Sequence, residues 1–248
     1  MILISAIILS KNDENLIADC IDSVSFCDEI VLIDSGSTDR TTEIAKQMGA
    51  KIYLDKDTSF AEKRNIGKQK AKGVWLLYVD SDERVSSVLR ESIKDVIKQK
   101  SETFVAYKLQ RQNYYLGNHP WPYIEQVERL IKKDALEQWF GELHETPQIK
   151  GNVGSLEGYL QHYTHRNLTD MITKTNLWSE TEAALRLSAN HPKMTWWRFP
   201  RVMLSAFFDS YIRQEGYKVG TMGLIESMYQ AFSIFITYAK LWEKQNER

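Results

Sequence analysis

An α/β fold, a mainly parallel sheet flanked by helices with a helical appendage behind it, is predicted by three observations. Short apolar runs alternate with segments of helical period through the first part of the chain, the order that builds parallel sheets. Most of those runs are apolar at successive positions, as strands buried on both faces require. Beyond Thr169 the strand signal stops and only helical spacing remains.

Ile4 to Leu9 reads as the first buried strand, and Leu16, Ile17, Cys20, Ile21 and Val24 mark one face of the helix after it. Glu29 to Ile33 repeats the strand signal; Ile44, Ala45 and Met48 mark a second helix that Gly49 ends. Lys51 to Leu54 is a short strand, and Ser59-Phe60-Ala61-Glu62 reads as a capping box opening a helix to about Ala71. Val74 to Val79 is a strand, followed by a helix carrying Leu89, Ile93, Val96 and Ile97. After about Lys100 the texture changes. Thr103 to Gln110, Gln126 to Ile131 and Tyr159 to Gln161 read as strands. Between the first two lies a loop, Tyr114 to Tyr123, rich in rings and prolines and expected to cover or contact a ligand. Helices are expected from Thr169 to Leu187, from Thr195 to Gln214 and from Gly220 onward. The organisation expected is one domain over 1–165 and a helical region over 166–248.

A chain of 248 residues, 43% hydrophobic and 26% charged, can bury a large core. Its net charge of −1 argues against a nucleic acid partner held mainly by electrostatics. Cys20 and Cys27 form no C-x-x-C pair and read as reduced thiols. The run from Ile2 to Leu9 has no basic leader or cleavage site, so a strand is expected there rather than a signal peptide, and a cytoplasmic protein with it.

In a parallel sheet the loops after successive strands share one edge, where ligands bind. Three strand ends therefore converge: Ser10-Lys11-Asn12-Asp13-Glu14, Asp34-Ser35-Gly36-Ser37-Thr38-Asp39 and Asp80-Ser81-Asp82. Asp80 and Asp82 offer hard oxygen ligands for a divalent cation beside phosphate. Asp34 can accept hydrogen bonds from a ribose or a base while Gly36 lets the backbone turn beside it; Asp39 reads equally as a helix N-cap. Other phosphate devices fail. No G-x-G-x-x-G follows a strand, and Gly67-Lys68 lacks the upstream glycine and following hydroxyl of a P-loop. A calcium loop starting at Asp80 would reach Glu91 but place Arg84 and Val85 at a ligand and at the turn glycine.

Taken in order, Ile4-Ser5-Ala6-Ile7-Ile8, Glu29 to Asp39, Arg64-Asn65-Ile66-Gly67 and Asp80-Ser81-Asp82 resemble the inverting family-two glycosyltransferases of GT-A fold. Glu128-Arg129-Leu130, Leu143-His144-Glu145 and His162-Tyr163 resemble the branch that includes lipopolysaccharide-core glucosyltransferases. Where that family's first strand gives way to Pro-Thr and then Tyr-Asn, this chain has Ser10-Lys11-Asn12.

The resemblance implies a nucleotide-diphosphate sugar donor, UDP-linked, and a hydroxyl acceptor on a cell-envelope glycan or glycolipid such as lipopolysaccharide core. It implies Mg²⁺ or Mn²⁺ on Asp82, with Asp80 joining it or touching the ribose instead. Ser10, Lys11, Asn12, Glu14, Asp34 and Gly36 would meet the nucleoside, and Lys63 or Arg64 the base or phosphates, Lys63 reading equally as a solvated helix residue. Glu145 is the base implied for the acceptor hydroxyl, oriented by His144, with Glu142, Glu125 and Glu128 as rivals. His162 would complete the metal site or meet the diphosphate, or be structural; with His165 it lacks the glutamate of the zinc-protease pattern. His119 and His191, beside prolines, read as loop residues.

The tail combines Trp196-Trp197-Arg198-Phe199-Pro200-Arg201 with an apolar run over 222–242, whose longest uncharged stretch, Ser227 to Ala239, is too short to cross a bilayer. Packing on the catalytic domain, contact of Arg198, Arg201, Arg213 and Lys218 with the inner face of the cell membrane, and dimerisation through the last helix all remain open. So do two rival functions. A nucleotidyltransferase forming the sugar nucleotide would want a glycine-rich loop that Ser10 to Glu14 lacks; a non-catalytic nucleotide-sugar binding module would have no use for a base.

Overall fold

The computed structural model describes residues 2–56, 58–98, 103–117, 119–141 and 145–247. The chain forms two compact units, Met1–Gln112 with Glu125–His162, and Asn113–Ile124 with Tyr163–Arg248.

The first unit holds strands β1 (Ile4–Ser10), β2 (Glu29–Asp34), β3 (Lys51–Leu54), β4 (Trp75–Asp80) and β5 (Glu83–Val85), with helices α1 (Ile17–Ser23), α2 (Thr41–Gln47), α3 (Phe60–Lys70) and α4 (Ser87–Lys98) between and after them. It also holds most of β6 (Ala106–Tyr115), β7 (His119–Lys132) and β10 (Val153–Tyr163), and all of β8 (Leu136–Phe140) and β9 (Thr146–Ile149). The main sheet runs β3-β2-β1-β4-β7-β6-β10-β5, and β8 and β9 form a separate pair. β1 lies parallel to both β2 and β4, while β7 joins β4 antiparallel.

Strand alternation makes two cores, one on each face of this sheet. From β1 and β4, Ala6, Ile8, Leu77 and Val79 enter one core with Ile17, Cys20, Ile21, Ala45, Leu89 and Ile93 of α1, α2 and α4. Ile7, Leu9, Leu76 and Tyr78 enter the other, with Ala61 of α3 and Leu136 and Trp139 of β8. Unbroken apolar runs follow from burial on both faces. Ser59 and Glu62 make both bonds of the capping box expected at the start of α3.

Asn65 and Gly67 within Arg64-Asn65-Ile66-Gly67 each have a structural role. The Asn65 side chain donates to the Trp139 carbonyl at 2.9 Å and accepts from the Trp139 N–H at 2.8 Å, tying α3 to β8. A Cβ on Gly67 would lie 2.4 Å from Ile7 Cγ2, so only glycine lets α3 sit this close to β1. Gly67→Ala is expected to lower stability by about 1–3 kcal/mol through overpacking, despite the better helix propensity of alanine; urea denaturation measures it.

Glu29, buried at the start of β2, accepts from Ser5 Oγ, the Lys72 N–H and Lys51 Nζ, each at 2.7 Å. Burial pushes its carboxyl up, but the bonds from Lys51, Ser5 and Lys72 outweigh burial and hold it below the ordinary value. With the folded value depressed, Glu29 stabilises the fold above the unfolded pKa of about 4.3, and that contribution is lost as pH falls through the folded value. Glu29→Gln is expected to cost about 1–3 kcal/mol at pH 7, with a smaller difference from the parent at pH 3.

The second unit is mainly helical: α5 (Leu168–Ser188), α6 (Arg198–Phe208) continued by a wider π turn (Asp209–Arg213), a 3₁₀ turn (Gly216–Val219) and α7 (Gly220–Asn246). Tyr229 of α7 donates to the Met171 carbonyl of α5 at 2.6 Å, and the Ser210 and Ser227 hydroxyls meet at 3.0 Å. The aromatic stretch 114–123, expected as a loop, is mostly strand: β6 continues to Tyr115 and β7 begins at His119. Its inward rings pack together, Tyr115 on Trp121 at 5.2 Å, in a cluster with Met222. Trp121 is 1% exposed, and its indole N–H donates to Gln214 Oε1 at 2.9 Å. Asn118 lies outside the described residues. The first unit ends at His162, and 113–124 belongs to the second.

Candidate active site

Register brings the three strand ends to one edge: Ser10 lies opposite Asp34, and Leu9 opposite Asp80. The loops there are tied to one another. Asn12, at φ 56°, donates its N–H to Ser37 Oγ at 2.9 Å and accepts the Thr38 N–H at 2.8 Å. Asp13 accepts from Ser10 Oγ at 3.0 Å, the Lys11 N–H at 3.0 Å and Ser81 Oγ at 2.6 Å, joining the loop after β1 to the loop after β4. Glu14 accepts the Arg40 N–H at 3.0 Å. Asp34 is buried and accepts the N–H groups of Gly36 and Ser37 at 2.9 Å and the Ser37 hydroxyl at 2.5 Å, so its carboxylate shapes its own loop. Gly36 takes φ 84° there. Asp39 accepts the Thr41 N–H at 3.0 Å at the opening of α2, a capping bond made one residue ahead of the N-cap position.

Behind this rim lies a cluster of charges. Arg64, 1% exposed, donates to Asp80 Oδ1 at 2.9 Å and to Glu145 Oε1 at 2.8 Å, with a second bond from its Nε to Glu145 at 3.0 Å. The guanidinium lies 5.0 Å from the Trp139 ring, which holds it in place. Arg129 reaches Asp80 Oδ2 at 2.9 Å and Glu83 at 3.8 Å. Arg111 pairs with Glu83 at 3.5 Å and also binds Glu125. Burial alone would raise the Asp80 carboxyl; Arg129 and Arg64 outweigh it, with smaller help from His162 and Arg111, and hold it well below the usual carboxylate range. Among the described residues, the buried Arg64 Nη1 and Arg129 Nη1 find no hydrogen-bond partner. Leaving charged donors in that state costs about 1–3 kcal/mol each.

His162 on β10 pairs with Glu83 of β5 in register, and its Nε2 lies 3.4 Å from Asp82 Oδ2. Burial would lower the His162 pKa; Asp82, and behind it Glu83, reverse that and raise it. Among the described residues no group of three or more His, Cys, Asp and Glu side chains is placed to hold a metal ion. A cation that takes one or two protein ligands and fills its shell with phosphate oxygens and water needs no such group. Asp82 and His162 fit that requirement. The Asp80 oxygens are instead engaged by the two guanidiniums.

The other predicted positions fall as follows. Lys63 is buried, and its Nζ donates to the Thr58 carbonyl at 2.8 Å. Lys11 is exposed at the rim. Of the rivals to Glu145, Glu125 pairs with Arg111 and Glu128 with Lys108 at 3.3 Å, while Glu142 and His144 lie outside the described residues. His165 belongs to the second unit, where Nδ1 lies 3.0 Å from the buried Glu226. His119 is exposed, and His191 Nδ1 lies 2.9 Å from its neighbour's carbonyl. Sequence reading assigned no role to Asp13, Glu83, Arg111 or Arg129. Asp13 and Arg129 stood within motifs already singled out; Glu83 and Arg111 carried no signal.

The parallel part of the sheet carries this acidic, arginine-braced site at its carboxyl edge, and the family and fold matches give the class: a glycosyltransferase of the GT-A fold. The chain belongs to glycosyl transferase family 2, whose model matches residues 5–159. Among its relatives, the lipopolysaccharide core biosynthesis glycosyltransferase LpsC of Rhizobium meliloti is 27% identical, over 97% of this chain and 92% of that protein. A glycosyltransferase of Rickettsia felis is also 27% identical, over 97% and 89%. Crystal structures of glucosyl-3-phosphoglycerate synthase from Mycobacterium tuberculosis share the fold at 17% identity, covering 77% of this chain and 81% of theirs. Their TM-scores are 0.52 with phosphoglyceric acid and 0.50 with Mn²⁺, UDP and glucosyl-3-phosphoglycerate. No helix among the described residues is long and apolar enough to cross a membrane.

Proposed function

We propose that this chain moves a hexose from a UDP-linked sugar, with inversion at C1, to a hydroxyl of a cell-envelope glycan or glycolipid such as lipopolysaccharide core, at the inner face of the cell membrane. The observation that carries the reading is the bridge of Arg64 between Asp80, at the carboxyl edge of the sheet, and Glu145. That arrangement sets a carboxylate able to take a proton beside the strand end that carries Asp80 and Asp82. Arg64 and Arg129 hold Asp80, and Arg64 holds Glu145, from within the protein. Asp34, Gly36, Ser10, Lys11, Asn12 and Glu14 form the rim that meets the nucleoside, preorganised by the bonds among its loops. Glu145 removes the proton of the acceptor hydroxyl as the oxygen attacks C1 from the face opposite the leaving diphosphate. Asp82 and His162 would hold Mg²⁺ or Mn²⁺, which supplies Lewis-acid neutralisation of the departing nucleoside diphosphate.

The relation to LpsC supports an envelope acceptor, and the synthase of the same fold, solved with Mn²⁺ and UDP, supports the donor and the cation. Acceptors of this kind lie at a lipid surface, so peripheral membrane contact or pairing of two copies falls to the helical second unit. Calorimetric titration with UDP, GDP and dTDP sugars tests the donor. UDP sugars are expected to bind with Mn²⁺ and to lose at least about tenfold in affinity with EDTA, the scale of one lost charge-assisted contact. A chain that binds no nucleotide sugar in either condition would sink the reading. Glycan analysis of a deletion strain then identifies the acceptor.

A further inference from the structure

We infer that α6 and the π turn after it form a docking face for an anionic lipid surface. α6 contains no buried residue, although it carries Phe199, Val202, Met203, Leu204, Phe207 and Phe208. One side of it packs inward, with Phe199 meeting Phe235 of α7 at 5.8 Å. The other side is a stripe of exposed positions, Trp197, Arg201, Leu204, Phe208 and Ile212. Their spacing of three and four keeps them on one helix face. Trp196, just before the helix, is 83% exposed. A tryptophan so placed in water leaves the largest apolar side chain unused, whereas at a membrane interface its ring is in its preferred setting.

Charge selects the occupant. Between Lys193 and Lys218 the chain carries Lys193, Arg198, Arg201, Arg213 and Lys218 against Asp209 and Glu215, in a protein whose overall net charge is −1. Both acids are taken, Asp209 by Arg213 at 3.6 Å and Glu215 by Lys218 at 2.7 Å. Arg201, in the middle of the stripe, has no ion pair among the described residues. Two copies packed through this face would bury that guanidinium in an apolar seam that offers no acid, which an interface core disfavours. An anionic bilayer receives the same side chains without conflict: Arg201 reaches phosphate oxygens along its aliphatic stem while Trp197, Leu204, Phe208 and Ile212 enter the acyl boundary. The helix lies in the interface rather than across it.

The inference extends the transferase reading, but its readout does not depend on turnover. The full chain is mixed with extruded phosphatidylcholine vesicles with or without one quarter phosphatidylglycerol; sedimentation gives the bound fraction and light scattering the oligomeric state. Binding is expected only to the anionic vesicles and is expected to fall with added salt. Arg201→Glu changes the local charge by two and is expected to weaken binding about 30-fold, at about fivefold per charge. The pair Leu204→Ser and Phe208→Ser is expected to weaken it at least about tenfold, with unchanged thermal stability and nucleotide-sugar affinity, since both side chains are exposed. Equal affinity for neutral and anionic vesicles, no binding to either, or a parent dimer that the serine pair turns into monomers would each overturn the inference, the last by assigning the face to a second copy. Failure to bind any nucleotide sugar would defeat the transferase reading alone.

Discussion

Glu145→Gln is expected to lower kcat by about 10²- to 10⁴-fold, the contribution of a positioned general base, while leaving donor affinity within about twofold of the parent, the margin expected for loss of an interaction made only in the transition state. The amide keeps the size of the carboxylate, and its oxygen can still accept from Arg64, which now donates to Glu145 at 2.8 and 3.0 Å. What it loses is the capacity to take a proton. Steady-state rates with a UDP sugar and acceptor, beside donor titration of the same variant, separate the two effects. If the variant turns over normally, the base lies elsewhere, and Glu125→Gln and Glu128→Gln are the next tests. Both of those carboxylates have their own cationic partners, Arg111 and Lys108, and neither bonds to Arg64 among the contacts seen.

Asp80→Asn is expected to act first on the fold. It removes the charge that Arg64 and Arg129 share, each at 2.9 Å, and leaves two buried guanidiniums against fewer carboxylates. Breaking a buried pair from one side costs about 3–5 kcal/mol. Asp80 keeps 26% of its side-chain exposure and asparagine still accepts a hydrogen bond, so about 3 kcal/mol is the expected loss in urea denaturation. Arg129→Met separates the two causes of that loss. In a double-mutant cycle the two substitutions should couple by about 1–3 kcal/mol; additive losses would mean that Asp80 and Arg129 do not act as a pair. Donor affinity should fall in Asp80→Asn as well, because the strand end that carries Asp82 loses its anchor on the two guanidiniums.

The strands and helices of the first unit were legible because their cause is local. Residues 4–9 and 74–79 are apolar without alternation since both sheet faces are covered, and the capping box at Ser59 and Glu62 is a four-residue pattern. The stretch 114–123 reads as a loop because Gly117, Pro120 and Pro122 are turn and break signals, although its rings favour strand. Its burial of Tyr115 and Trp121 depends on Met222 and Gln214, far along the chain, and no short window of sequence contains both sides of that contact.

Within the candidate site the same division holds. Asp34, Asp80 and Asp82 stand at the ends of apolar runs, and strand register alone brings them to one edge. Composition and motif order therefore determined the class of fold, the family and the edge that carries the chemistry, since hydrophobic period and strand ends are written residue by residue. Tertiary structure alone decided that Arg64 spans Asp80 and Glu145, that Arg129 and Glu83 stand behind them, and that Asp82 faces His162. Those pairings join side chains distant in sequence, and burial, which only the folded chain creates, makes their charges matter.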